Sequence, residues 1–140
     1  MSEDIKNKCI STLTMLGFTK LISPTDSKNI SYANDRIIYT FYGTHVRVKE
    51  AMNNCSYMVH YPSIEDTIHR HIRKYKFIAT LYLYGFILGD PIPGERTIRL
   101  HTDTWIIYVG NKRTRIYNKI TGKEVTTDYK NGLNYLKKRL

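Results

Sequence analysis

The chain has 140 residues, 41% of them hydrophobic, with 22 Lys and Arg against 12 Asp and Glu, a net charge of +10 and a pI near 9.6. That is the length of one ordinary domain spanning 1–140, too apolar for disorder and large enough to fold without a metal or disulfide. The longest apolar run, residues 77–88, falls short of the roughly 20 residues a membrane span needs. Glu3, Asp4, Lys6 and Lys8 interrupt the first segment and argue against a secretory leader. Cys9 and Cys55, far apart in sequence, then read as reduced thiols of a cytoplasmic, intracellular protein.

In chain order, Ser2 can cap a first helix whose opening turn holds Glu3 and Asp4. Ile5, Cys9, Leu13 and Leu16 follow at helical spacing, and Gly17 with Phe18 supplies the stop. Residues 19–34 are polar and turn-rich and predict a loop, with a short extended piece near Leu21–Ile22. Arg36–Tyr42, His45–Glu50 and Cys55–Tyr61 are β-branched, aromatic or alternating, and predict an antiparallel meander.

A capping-box spacing, Ser63 to Asp66, opens a central helix. Its stripe is Ile64, Ile68, Ile72, Tyr75 and Ala79, and Gly89 with Pro91 sets its stop after residue 88. The Tyr-Leu-Tyr alternation within 77–88 also fits a strand, and helix is the preferred reading. Thr97–Thr102, Trp105–Val109, Thr114–Ile120 and Glu124–Thr127 predict a second meander. Asp128 caps a last helix carrying Leu133, Leu136 and Leu140. No repeat shows residue by residue, although two meanders about a helix are compatible with an old duplication. The fold class is therefore α+β: N-terminal helix, meander, long central helix, second meander, C-terminal helix, with helices packed on one face of antiparallel sheet.

The densest cationic segment, His69-Arg70-His71-Ile72-Arg73-Lys74-Tyr75-Lys76, abuts the apolar run. Arg and Lys on a helix face neutralise phosphates, and Tyr75 is placed to stack on an unpaired base. His69, Arg73 and Lys76 form one row, Arg70 and Lys74 another. A second cationic group holds Arg96, Arg99, Lys112, Arg113 and Arg115, with Tyr108 and Tyr117 nearby. The tyrosines either share that surface, as structured or single-stranded nucleic acid would want, or pack inward. An A/T-rich coding composition would raise Lys and Tyr without function, so the arginines weigh more. Lys137-Lys138-Arg139 fits the dipole of a helix end.

His69 and His71 are two apart and diverge on a helix, and no Cys-x-x-Cys or carboxylate cluster stands in for them, so neither a metal site nor a cofactor is expected. No phosphate-binding glycine loop occurs. His101-Thr102-Asp103 is the most enzyme-like triplet, a proton shuttle with an orienting carboxylate. Length, A/T-type composition and the lack of household motifs resemble the small accessory proteins of viruses and phages, a resemblance of style that carries no residue.

The leading expectation is binding of a polyanion, foremost nucleic acid, without catalysis, through Arg70, Arg73, Lys74, Tyr75, Lys76, Arg99, Arg113 and Arg115. A module that binds or inhibits a host or partner protein, with an acidic surface facing these cations and aromatic anchors, is the second expectation. A metal-independent ribonuclease using His101 and Asp103 is the third. Self-association fits the same composition.

Overall fold

The computed structural model describes residues 2–21 and 29–140, without the side chain of Ser2. The chain is α+β, with the predicted order of helix, meander, long helix, meander and helix. It divides into two compact units, Met1–Ile68 and His69–Leu140. In the first, α1 (Ser2–Met15) precedes β1 (Thr19–Leu21), β2 (Ile30–Ala33), β3 (Ile37–Phe41), β4 (His45–Glu50) and β5 (Cys55–His60). The helix α2 (Tyr61–Leu83) then runs across the boundary between the units. The second unit continues with β6 (Ile87–Leu88), β7 (Ile98–His101), β8 (Trp105–Val109), β9 (Thr114–Asn118), β10 (Glu124–Thr127) and α3 (Tyr129–Lys137). Each sheet is a five-stranded antiparallel meander in chain order.

The second unit repeats the first at a constant offset of 68 residues. The ladders coincide: Thr19 faces Ala33 as Ile87 faces His101, Phe41 faces Val46 as Val109 faces Thr114, and Val48 faces Tyr57 as Ile116 faces Val125. Local hydrogen bonds coincide too. Asn34 Oδ1 closes the β2–β3 turn by accepting from the amides of Arg36 and Ile37, and Thr102 Oγ1 does so for Thr104 and Trp105. The Tyr61 hydroxyl donates to the Tyr42 carbonyl, and the Tyr129 hydroxyl to the Gly110 carbonyl.

Both opening helices stop by the same device. Gly17 and Gly85 share φ of 89°, a conformation that costs a residue with a Cβ roughly 1–2 kcal/mol. The amides of Phe18 and Phe86 reach back to the carbonyls of Leu13 and Leu81 at 3.0 and 3.1 Å, which satisfies the helix ends. Leu13, Leu81 and Phe86 are buried there.

Each core is the inward face of its sheet plus one helix stripe. Buried residues of the first unit include Cys9, Leu13, Ile37, Tyr39, Phe41, Val46, Val48 and Ile64, and those of the second Phe77, Leu81, Trp105, Ile107, Val109 and Ile116 at the corresponding positions. The counterpart of Ile64 is the buried Gly132, where a Cβ would lie 2.9 Å from Thr114 Cγ2, so α3 sits unusually close to β9.

Three sequence expectations are corrected. Residues 19–34 are not a plain loop, because Thr19–Leu21 pairs with Ser31–Ala33 as β1 and β2, and Ile22 to Lys28 lie outside the described residues. The central helix starts at Tyr61, not Ser63, because Pro62 falls in the first turn where its missing N–H is harmless. It ends at Leu83, not 88, because Gly85 stops it and releases Ile87–Leu88 to pair with β7. The expected Asp128 cap is present, its Oδ1 accepting from the Asn131 amide at 2.8 Å. The expected Ser2 cap rests on a side chain outside the described residues.

Candidate nucleic-acid interface

Charge divides unequally between the two repeats. Residues 1–68 hold seven Lys and Arg against seven Asp and Glu, whereas residues 69–140 hold fifteen against five, so the whole net charge of +10 belongs to the second unit. A composition bias acting evenly along the chain would not produce this split between two copies of one architecture. The frame is shared, and the excess of cations over anions lies in one copy.

The outward face of the second sheet carries the first cluster. Inward residues Leu100, Ile107, Val109 and Ile116 alternate with Arg99, Tyr108 and Arg115, which form one cross-strand row in the order Arg99–Tyr108–Arg115–Thr126. The Arg115 guanidinium lies over the Tyr108 ring at 4.2 Å, and its Nε is 3.0 Å from Glu124 Oε1. At that distance the guanidinium and the ring attract one another, and the exposed arginine carries its charge to the surface of the sheet. Arg99 folds over Gly89, where an added Cβ would meet its Nε at 2.8 Å. Glu95, Arg96, Thr97 and Arg113 line a cleft of about 430 Å³ together with Tyr108 and Arg115.

In the first unit the corresponding row is Ser31–Thr40–Arg47–Met58. There Ser31 and Thr40 hydroxyls bond one another at 2.9 Å, and Arg47 Nε donates to Ser56 Oγ at 2.9 Å, the position matching Glu124. The row has one cation and no aromatic ring.

The second cluster lines a concavity of about 300 Å³ formed by α2, the β8–β9 turn and the start of α3. Arg70, Arg73, Lys112 and Lys130 line it together with Asn111 and Asp128. Behind it, Lys74 is fully buried, and its Nζ donates to Asn111 Oδ1 at 2.7 Å. The β8–β9 turn joins the two clusters, since Asn111 and Lys112 line the concavity while Gly110 and Arg113 line the cleft.

The sequence-predicted residues are therefore sorted by the fold. Arg73, Lys76, Arg113 and Arg115 are exposed, and Arg70 and Arg99 are half-buried with their cationic neighbours. Tyr75, at 7% exposure, and Lys74, at 0%, are corrected: both turn inward on α2, so Tyr75 is not placed to stack on a base nor Lys74 to touch a phosphate. The sequence did not single out Asn111 or Lys130, which line the concavity, one from a turn and the other from a helix start. Tyr108, noted only as a neighbour, is the ring that the arginine row uses.

His101 is half-buried between Ile87 and Ile106 in the ladder, and Asp103 is exposed in the following turn. No hydrogen bond or ion pair joins them among the described residues, so the expected orienting contact is not formed. His71 is 2% exposed. Among the described residues no three His, Cys, Asp or Glu converge in a way that would hold a metal ion, and no helix is long and apolar enough to cross a membrane.

No family model, curated protein or solved structure matches this chain.

Proposed function

We propose that the protein binds nucleic acid without catalysis, and that the second unit carries the contact surface. The observation behind this reading is that the net charge of +10 belongs to one of two architecturally matched units, where seven of the fifteen cations line two concavities that share the β8–β9 turn. Arg70, Arg73, Lys112, Arg113 and Arg115 neutralise phosphates, and Tyr108 with the Arg115 guanidinium over its ring offers a platform for an unpaired base. Lys76 and Arg99 extend the field around these groups.

The sheet face favours single strands over duplex, because a stacked guanidinium and ring engage base faces that a double helix conceals. The test is binding of the full chain to labelled single-stranded and duplex DNA and RNA across a salt series. Tighter single-strand binding that weakens linearly in log–log with salt supports the reading. No binding at low salt, or binding indifferent to salt, overturns it.

A second reading, a protein-interaction module, draws on apolar side chains exposed at matching helix ends. Met15 and Leu16 close α1, and Leu83 and Tyr84 close α2. Under this reading a Leu83→Glu chain loses self-association in sedimentation while keeping its affinity for oligonucleotide. Unchanged sedimentation would remove the support.

A further inference from the structure

Asn111 is a directed donor. Lysine has only N–H groups to give, so the 2.7 Å bond from Lys74 Nζ identifies the facing atom of Asn111 as its oxygen. The amide nitrogen of the same side chain is then the group left to donate elsewhere, and Asn111 is a lining residue of the concavity. Around this donor stand Arg70, Arg73, Lys112 and Lys130. The one carboxylate in the lining, Asp128, is committed to capping α3 through both oxygens, at 2.8 Å to the Asn131 amide and 3.1 Å to its Nδ2.

The first unit supplies a control at the same backbone positions. There Arg73, Asn111, Lys112 and Lys130 correspond to Ile5, Gly43, Thr44 and Pro62, while Lys74 corresponds to Lys6 and Tyr129 to Tyr61. The groups that build the frame persist, Tyr61 and Tyr129 making the same hydrogen bond. Three of the lining cations, Arg73, Lys112 and Lys130, have uncharged counterparts in the first unit, while the lining carboxylate Asp128 corresponds to His60. Four cations against one helix-capping carboxylate, with an amide donor, still exceed what a singly charged backbone phosphodiester needs. They suit a phosphate monoester, which carries about −1.5 to −2 at neutral pH and three acceptor oxygens.

We infer that this concavity is a subsite for a phosphate monoester, the terminal phosphate of a bound strand, with Arg70, Arg73, Lys112, Lys130 and Asn111 Nδ2 as its contacts. Lys74 is a positioning residue that acts through Asn111. This rests on the nucleic-acid reading for its ligand, but it is separable from it in the laboratory.

The full chain is titrated with one oligonucleotide bearing a phosphate at the 5′ end, at the 3′ end, or at neither, and the Asn111 side-chain amide is followed by NMR during addition of inorganic phosphate against chloride at matched ionic strength. One phosphorylated strand is expected to bind about tenfold tighter than the bare strand, the factor a charge-assisted hydrogen bond supplies. The Asn111 amide is expected to move with phosphate and not with chloride. Asn111→Asp keeps an acceptor for Lys74 but replaces the donor, and Arg73→Ala removes an exposed cation. Both are expected to abolish the phosphate advantage without lowering the unfolding midpoint. If all three strands bind alike with steep salt dependence, the subsite is refuted and the nucleic-acid reading stands. If no strand binds but phosphate still moves Asn111, the subsite stands and the strand does not. An advantage that survives in both variants, or an amide that ignores phosphate, overturns the subsite.

Discussion

Arg47 and Arg115 occupy the same position in the two units, and each reaches the same neighbour across its hairpin, Ser56 in one and Glu124 in the other. Replacing each by alanine isolates the chemistry of the surface from that of the frame. A cation neutralising one phosphate of a single strand contributes about 0.7 to the slope of log affinity against log salt. Between roughly 1 M and 0.1 M salt that is about fivefold in affinity, or about 1 kcal/mol.

Arg115→Ala is therefore expected to weaken oligonucleotide binding about fivefold or more at 0.1 M salt and to lower the slope by about 0.7, with a further loss as Tyr108 loses its partner. Arg47→Ala, in a row without a ring and in a unit of zero net charge, is expected to leave both unchanged. The stability effects should be small and alike. The Arg115–Glu124 pair is about half exposed and such pairs contribute at most about 1 kcal/mol. Fluorescence anisotropy over a salt series, with urea unfolding in parallel, reads both. Equal losses in the two variants, or a loss only in Arg47→Ala, would refute the assignment of binding to the second unit.

Gly132→Ala adds helix propensity worth about 1 kcal/mol but drives a methyl against Thr114 Cγ2 at 2.9 Å, and overpacking costs about 1–3 kcal/mol. Net destabilisation in urea is expected, and a gain near 1 kcal/mol would show that α3 is not pressed on β9. Gly17→Ala and Gly85→Ala, at the matching stops with φ of 89°, should each lower stability by about 1–2 kcal/mol. A neutral result at either would contradict the shared termination. Burial foremost, with Glu65 adding to it and Lys8 opposing, pushes the Cys9 thiol from 9.0 up to about 11. The unfolded thiol then releases its proton first, so this contribution is intact below pH 9 and is lost as pH rises toward 11. Burial likewise raises Tyr39 and Tyr61. Unfolding midpoints should fall over that window and fall less in Cys9→Val, and identical pH profiles for the two chains would contradict the assignment.

The element order was legible because most punctuation in the chain is local. Gly17 and Phe18 stop α1 by a motif read within six residues, and Val46 and Val48 alternate against Arg47 and Lys49 wherever the strand lies. Gly85 was overlooked because apolar residues surround it, so 77–88 read as one run. The preferred helix and the alternative strand were each partly right, the helix ending at Leu83 and the strand beginning at Ile87. The repeat was hidden for a related reason. Burial constrains volume more than identity, so Cys9 matches Phe77, Ile37 matches Trp105 and Val46 matches Thr114, and only 12 of 72 aligned positions are identical, among them Leu13/Leu81, Gly17/Gly85, Phe18/Phe86, Arg47/Arg115 and Tyr61/Tyr129.

The candidate site was half legible. Charge runs locate Arg70, Arg73 and Arg113, but the inward turn of Lys74 and Tyr75 follows from which stripe of α2 the core takes. The directed amide of Asn111 follows from a side chain 37 positions away.

The most direct test of the account is residue-resolved NMR of the full chain during titration with a single-stranded oligonucleotide. Shifts should concentrate at residues 70–73, 108–115 and 128–130 and leave residues 40–47 of the matching first-unit face in place. Shifts of equal size at both sets, or confined to residues 1–68, would contradict the claim that one copy of the repeat carries the binding surface.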